Sequence, residues 1–169
     1  MDKLSTFSAD AVNLNGLLTH NKLPSVNHVH ELILNRLENV DASLSEAAFF
    51  HFKTPGKMLR AKMAIQSASL AEIDSSTSLL WAGAVEVLHN ASLIHDDICD
   101  GDKQRRGRES IWVKFGRDTA LTLGDWLIAL SFELASEAAE MSNTPRLVGV
   151  LARHMATTTA GQAMEFGWN

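Results

Sequence analysis

Cysteine is nearly absent from this sequence: Cys99 stands alone among 169 residues, so no internal disulfide can staple the chain. Proline occurs three times and glycine ten times, and β-branched residues nowhere alternate with polar ones, which removes the usual signs of a sheet protein. Long apolar runs are missing as well. The best candidate, "TALTLGDWLIALSF" at 119–132, is broken by Asp125 and falls short of the roughly 18 apolar residues of a membrane helix. No membrane span is expected. "MDKLSTFSAD" at the N-terminus lacks the basic stretch and apolar core of a secretory signal, and the expectation is a cytoplasmic protein. Positive charge is scarce too: 15 Lys and Arg against 20 Asp and Glu give a net charge of −5 and a pI near 5.8. A nucleic-acid binder would carry a basic stripe, so no nucleic-acid partner is expected and any phosphate binding has to be local.

What is present is an ordinary globular balance, 46% hydrophobic and 21% charged, in a chain long enough for one domain with a core. A polar segment, 1–24, precedes a single all-α domain over 25–169. Ser25 can cap "VNHVHELILNRLENV", where Val29, Leu32, Ile33, Leu37 and Val40 recur at helical spacing. Asp41 starts a second short helix, "ASLSEAAFFHF", which "TPG" ends. "KMLRAKMAIQSASLAEI" resumes with Leu59, Met63, Ile65 and Leu70 as its expected apolar face, and "DSST" reads as a loop and cap. From Leu79 to Ile98 runs the most apolar helix, and a helix apolar nearly all round is usually central. Residues 101–117 read as a charged loop. "DTALTLGDWLIALSFELASEAAEM" and, after "SNTP", "RLVGVLARHMATTTAGQAMEF" complete about six helices, with Pro145 suited to a helix start.

The central helix ends in Asp96, Asp97 and Asp100, followed by Asp102 and then "KQRRGR". Asp96 and Asp100 are i and i+4, so their carboxylates can converge and repel unless something neutralises them. Hard divalent cations do so, and magnesium characteristically combines one or two carboxylates with phosphates and water. A solvated helix end is the alternative, although negative charge is disfavoured there by the helix dipole. Arg105 and Arg106 are close enough in sequence to fold back on the same place, and guanidinium groups suit bidentate phosphate contacts. A second basic group, Lys57 and Arg60 in "GKMLR", sits at a helix start, where free N–H groups also favour anions. His89 lies two turns before Asp96 on the same face, and Gln162 is a polar residue in an otherwise apolar segment.

In order and spacing, "GKMLR", "EVLHNASLIHDDICDGDKQRRG", "ALTLGDWL" and "GQAMEF" resemble the trans-isoprenyl diphosphate synthase, or polyprenyl synthetase, family over about residues 45–166. Terpene cyclases share an Asp-rich motif but lack the Gly-Lys-x-x-Arg and Arg-Arg-Gly elements. The resemblance implies the N-terminal half of the all-α isoprenoid synthase bundle. It also implies that Asp96, Asp97 and Asp100 bind Mg2+ ions holding an allylic prenyl diphosphate, with Arg105 on the same diphosphate as part of the catalytic group. Gly56 would shape a turn, Lys57, Arg60, His89 and Arg106 would bind isopentenyl diphosphate, and Gln162 would lie near the allylic substrate. Magnesium-dependent condensation of the two diphosphates, lengthening the chain by five carbons, is the implied activity.

Small residues four and five positions before Asp96, Ser92 and Ala91, with Leu88, Val87 and Ala84 beyond them, imply an open tail path and a product of C20 or longer. The sequence also departs from the family. Its usual Gly-Lys-Arg-x-Arg-Pro reads "GKMLRA" here, and the second Asp-rich motif with its preceding Lys-Thr is absent. A complementary C-terminal-half chain, a homo-oligomer, or both are therefore expected partners. Trp126, Phe132 and the helices at 118–140 and 146–166 are the expected contact, since family subunits pair largely through helices after the first motif. The chain reads as a subunit of a split enzyme or as a truncated one. A non-catalytic modulatory subunit of a full-length synthase is the alternative, and a diphosphate-binding or hydrolysing protein is a third reading.

Overall fold

The computed structural model describes residues 23–166; the expected segment 1–24 lies outside them except for Leu23 and Pro24. Helices α1 (Val26–Leu37), α2 (Ala42–Phe52), α3 (Leu59–Leu70) and α4 (Ser75–Cys99) are followed by a short antiparallel hairpin, β1 (Gln104–Arg105) and β2 (Arg108–Glu109). Helices α5 (Ile111–Phe115), α6 (Arg117–Met141) and α7 (Arg146–Phe166) complete the all-α fold.

Polar residues set the helix starts. Ser25 Oγ accepts from the His28 N–H at 3.3 Å while the Ser25 N–H donates to His28 Nδ1 at 3.1 Å, a capping box with histidine in the usual Glu or Gln position. Asp41 caps α2 through Ser43 N, and Asp74 caps α4 through Thr77 N, each at 2.9 Å. The "DSST" stretch is therefore one cap and the first turn of α4, which begins four residues earlier than expected from its apolar pattern.

α4 is the axis of the bundle, packed along α6 and flanked by α3 and α1. Leu79, Leu80, Val87 and Ile94 of α4 meet Leu123, Leu127 and Leu134 of α6 in one core with Leu32, Ile33 and Leu37. Each such side chain contributes roughly 1.5–3 kcal/mol by leaving water. Glycines make room for neighbouring side chains on two sides of α4, Gly124 of α6 for His95 and Gly83 of α4 for Leu32 of α1. The His95 ring occupies the space a Cβ on Gly124 would need, and a Cβ on Gly83 would lie 3.1 Å from Leu32 Cδ2. Arg36, 6% exposed, clamps α1 to α6 by reaching both Glu137 carboxylate oxygens at 2.6 Å and Glu133 at 3.2 Å.

Two expectations are corrected. Leu59 and Met63 are 58% exposed and Leu70 is 88% exposed, so of the expected apolar face of α3 only Ile65 is buried. Met58, in the left-handed region at φ 45°, turns the helix so that Met58, Ala61 and Ile65 enter the core instead. Small Ala61 lets α3 lie against α4. Residues 101–117 are not an open loop but the hairpin and α5. The turn is Arg106-Gly107, with φ 54° and 74°, and a two-residue turn with both φ positive normally takes Asn-Gly or Asp-Gly. Arginine in the first position hid the hairpin from the sequence.

Trp126 and Phe132 are half-buried against the rim of the core. Beyond Leu151 most of α7 is exposed. No helix among the described residues is long and apolar enough to cross a membrane.

Candidate diphosphate site

The charged residues gather where α4 ends. Asp97 is 2% exposed, and its Oδ1 accepts from Arg105 Nε at 2.6 Å and pairs with Nη2 at 2.5 Å. That bond pushes the Arg105 pKa further up. Asp96 is half-buried and Asp100, the C-cap, is exposed. Partial burial first, and then the Asp100 charge, raise the Asp96 carboxyl above the ordinary carboxylate range, with Arg105 opposing. The expected set of three metal-binding carboxylates is thus divided, because Asp97 faces an arginine. Among the described residues no three His, Cys, Asp or Glu side chains form a ready metal cage. In the remaining pair, the Asp100 charge disfavours the charged form of Asp96. The two carboxylates fit an ion such as magnesium that takes one or two carboxylates and completes its shell with phosphate and water.

The basic groups gather about two turns back along α4, at His89 and Asn90. Arg60 Nη1 donates to His89 Nε2 at 3.0 Å, which fixes His89 as a neutral acceptor. Burial, and then Arg60 and Arg106, push the His89 pKa down to about 4. Lys57 is exposed and makes no ion pair among the described residues. The α3 start is not an open anion site: Glu86, buried in α4, accepts from the Ala61 N–H at 3.1 Å and takes up one of the free donors.

Arg106 is held from three sides. Nη1 donates to Thr54 O at 2.9 Å and Nη2 to Asn90 Oδ1 at 3.4 Å, and the guanidinium lies over Gly56. Gly56 has no left-handed φ, so it serves by leaving room for Arg106 rather than by making the turn that was expected of it. Arg108 supports the hairpin from below: Nη1 donates to Phe50 O and Thr54 Oγ1, each at 3.1 Å, and the cation stacks 3.8 Å from the Phe50 ring centre.

The expected tail-path residues separate. Ser92 and Leu88 are half-buried, whereas Ala91, Val87 and Ala84 are fully buried in the bundle core. Gln162 is half-buried on α7, and no hydrogen bond joins it to the α4 residues among those described. Sequence reasoning missed Asn90, His51, Thr54 and Arg108. The one available signal was the i,i+4 pair Glu86 and Asn90, two polar residues on one face of an apolar helix.

The polyprenyl synthetase family model matches residues 41–169. The chain is 41% identical over 113 residues to a geranylgeranyl diphosphate synthase of Saccharolobus solfataricus, covering 67% of this chain and 34% of that protein. It is 30% identical to an octaprenyl diphosphate synthase of Haemophilus influenzae, covering 68% and 35%. Among solved structures, a geranylgeranyl pyrophosphate synthetase from Geoglobus acetivorans superposes with TM-score 0.76 at 34% identity, covering 84% of this chain and 47% of that one. A polyprenyl synthase from Caulobacter crescentus, complexed with calcium and isoprenyl diphosphate, gives 0.77 at 31%, covering 83% and 42%. The chain spans roughly a third of the length of these curated relatives and under half of these structures, and within that span it belongs to the polyprenyl synthetase family.

Proposed function

We propose that this chain is the diphosphate-binding, N-terminal half of a trans-prenyl diphosphate synthase. The observation that carries this reading is the order of charge along one helix in a chain of this family: His89 and Asn90 bond Arg60 and Arg106, and about two turns further on stand Asp96 and Asp100, with Arg105 paired to Asp97 between them. An allylic diphosphate would sit on the acidic side and isopentenyl diphosphate on the basic side. Magnesium, where bound, would neutralise the diphosphate as it departs. Asp96 and Asp100 would hold it, and Arg105, released from Asp97 or shared with it, would face the same phosphates. The allylic C–O bond ionises, the isopentenyl double bond attacks the cation, and loss of a proton leaves a chain longer by five carbons. Preorganised donors such as Arg106 stabilise charge at the phosphates without reorganising during the step.

The second Asp-rich motif would come from a complementary C-terminal half. Ser92, small and half-buried on α4, would place no bulky side chain in the tail path beyond Asp96, and the product would be C20 or longer. The test is to incubate the chain with labelled isopentenyl diphosphate, allylic diphosphates and magnesium, with and without a candidate C-terminal half. Elongation in the paired reaction is expected, and its absence under every pairing overturns the reading. A modulatory subunit is favoured by one observation, the engagement of Asp97 by Arg105. Unchanged turnover when Asp96 and Asp97 become alanine in the assembled complex would select it.

A further inference from the structure

We propose that Asn90 is a positioning residue for the basic half of the site: its amide, fixed by Glu86 and His51, aims Arg106 and ties it to the start of α3. This rests on the diphosphate-binding reading and names a residue that the reading does not contain.

The orientation of the amide follows from its partners. Asn90 Nδ2 donates to Glu86 O at 2.8 Å and lies 3.5 Å from Glu86 Oε1. Both are acceptors, so the amide nitrogen must face Glu86 and Oδ1 must face the other way. Oδ1 then receives His51 Nε2 at 2.9 Å and Arg106 Nη2 at 3.4 Å. An acceptor-only oxygen forces His51 to carry its proton on Nε2. Burial, with Arg106, Arg105 and Arg108 around it, keeps that ring neutral at ordinary pH.

The second oxygen of Glu86 accepts from the Ala61 N–H, one residue beyond Arg60. A continuous polar chain therefore runs from α2 (His51) through α4 (Asn90, Glu86) to the first turn of α3, with Arg106 attached at its middle. Asn90 and Glu86 are both buried, and buried polar groups in such a chain have few alternative partners. Arg106 needs this support because its backbone is left-handed at φ 54°, a conformation a non-glycine residue keeps only when its surroundings hold it. Arg106 and the residue after Arg60 are thus joined to one polar chain with the Asn90 amide at its centre.

The test uses the chain itself, with inorganic diphosphate as the probe and EDTA present so that no metal links the probe to the aspartates. Calorimetric affinity should fall about tenfold in Asn90→Ala, the equivalent of one hydrogen bond to a charged group. The Arg106→Ala loss should not grow when Asn90→Ala is added, because the two act as a unit. His51→Gln, which keeps a donor at the same reach, should retain affinity that His51→Leu loses. In nitrogen-15 spectra His51 should show a protonated Nε2 and a bare Nδ1, and the Arg106 guanidinium signals should broaden in Asn90→Ala. Wild-type affinity in Asn90→Ala, additive losses, or a proton on His51 Nδ1 would each overturn the assignment. If the wild-type chain binds no diphosphate, the functional reading falls, and the His51 tautomer and Arg106 line shapes still decide the role of Asn90.

Discussion

The guanidinium of Arg106 fills the space in front of Gly56 so closely that a Cβ there would lie 2.7 Å from Nη2. The obstruction is the far end of a flexible side chain, so Gly56→Ala should cost little stability while swinging Arg106 away from Thr54 O and Asn90. Thermal unfolding near that of the wild type, together with a loss of diphosphate affinity approaching that of Arg106→Ala, is the expected pair of results.

Arg36 and Glu137 form a bidentate pair with the arginine buried. Truncating Arg36 to alanine leaves Glu137 without its partner and opens a void between α1 and α6. Urea unfolding should show a loss of about 2–3 kcal/mol, toward the low end for a broken buried pair because Glu137 is part-exposed. Arg36→Met, which restores volume without charge, should recover part of it.

His51 makes stability depend on pH. Its folded pKa is pushed down to about 4, first by burial, while the unfolded chain takes up the proton near the ordinary value of about 6.5. Between those values the unfolded state binds more protons, so stability is full above about pH 6.5 and declines as pH falls toward 4, by on the order of 3 kcal/mol. His51→Gln should reduce that part of the slope in a profile of urea midpoints against pH, leaving the slope due to His89.

Asp96 is expected to oppose stability and support binding. Its raised pKa, from burial and then Asp100, means that its charged form is disfavoured in the folded chain. Asp96→Asn should therefore stabilise the metal-free protein at pH 7, by less than about 1 kcal/mol because solvent still screens this half-buried group. Magnesium with diphosphate is expected to stabilise the wild type further, and the same change should abolish that gain, which thermal melts with and without the two ligands would resolve.

Ser92 should mark the tail path. In the complemented enzyme, Ser92→Phe is expected to shorten the product, read by chromatography of the dephosphorylated alcohols. Ala91→Phe should instead cost stability, because Ala91 is packed in the core and overfilling a packed core is penalised by about 1–3 kcal/mol.

Much of this arrangement was legible in advance, and the failures share a cause. Ser25, Asp41 and the apolar spacing of α1 and α6 act locally, so cap and periodicity were enough to place those helices. The Asp-rich end of α4 and the Arg-Arg-Gly that follows were visible as charge. On α3, periodicity nominated Leu59, Met63 and Leu70, but the rotation of the helix is set by left-handed Met58 and by Glu86 across the bundle, which no local pattern encodes. The pairing of Asp97 with Arg105 was equally hidden, since it depends on a hairpin whose turn residue is an arginine. Asn90 carries no charge and sits among apolar neighbours, so only the partners brought to it by folding give it meaning.

The clamp between Arg36 and Glu137 spans 101 positions of sequence, and that separation has a temporal side. As the chain leaves a ribosome at about 5–20 residues per second, α1 is exposed for several seconds before the helix that neutralises its arginine has been made. Long-range contacts of this kind must be reached by closing a large loop before they yield any stabilisation. Helix α1 can therefore meet α4 well before α6 exists, and the buried charge of Arg36 waits for its partner until that later helix has been made.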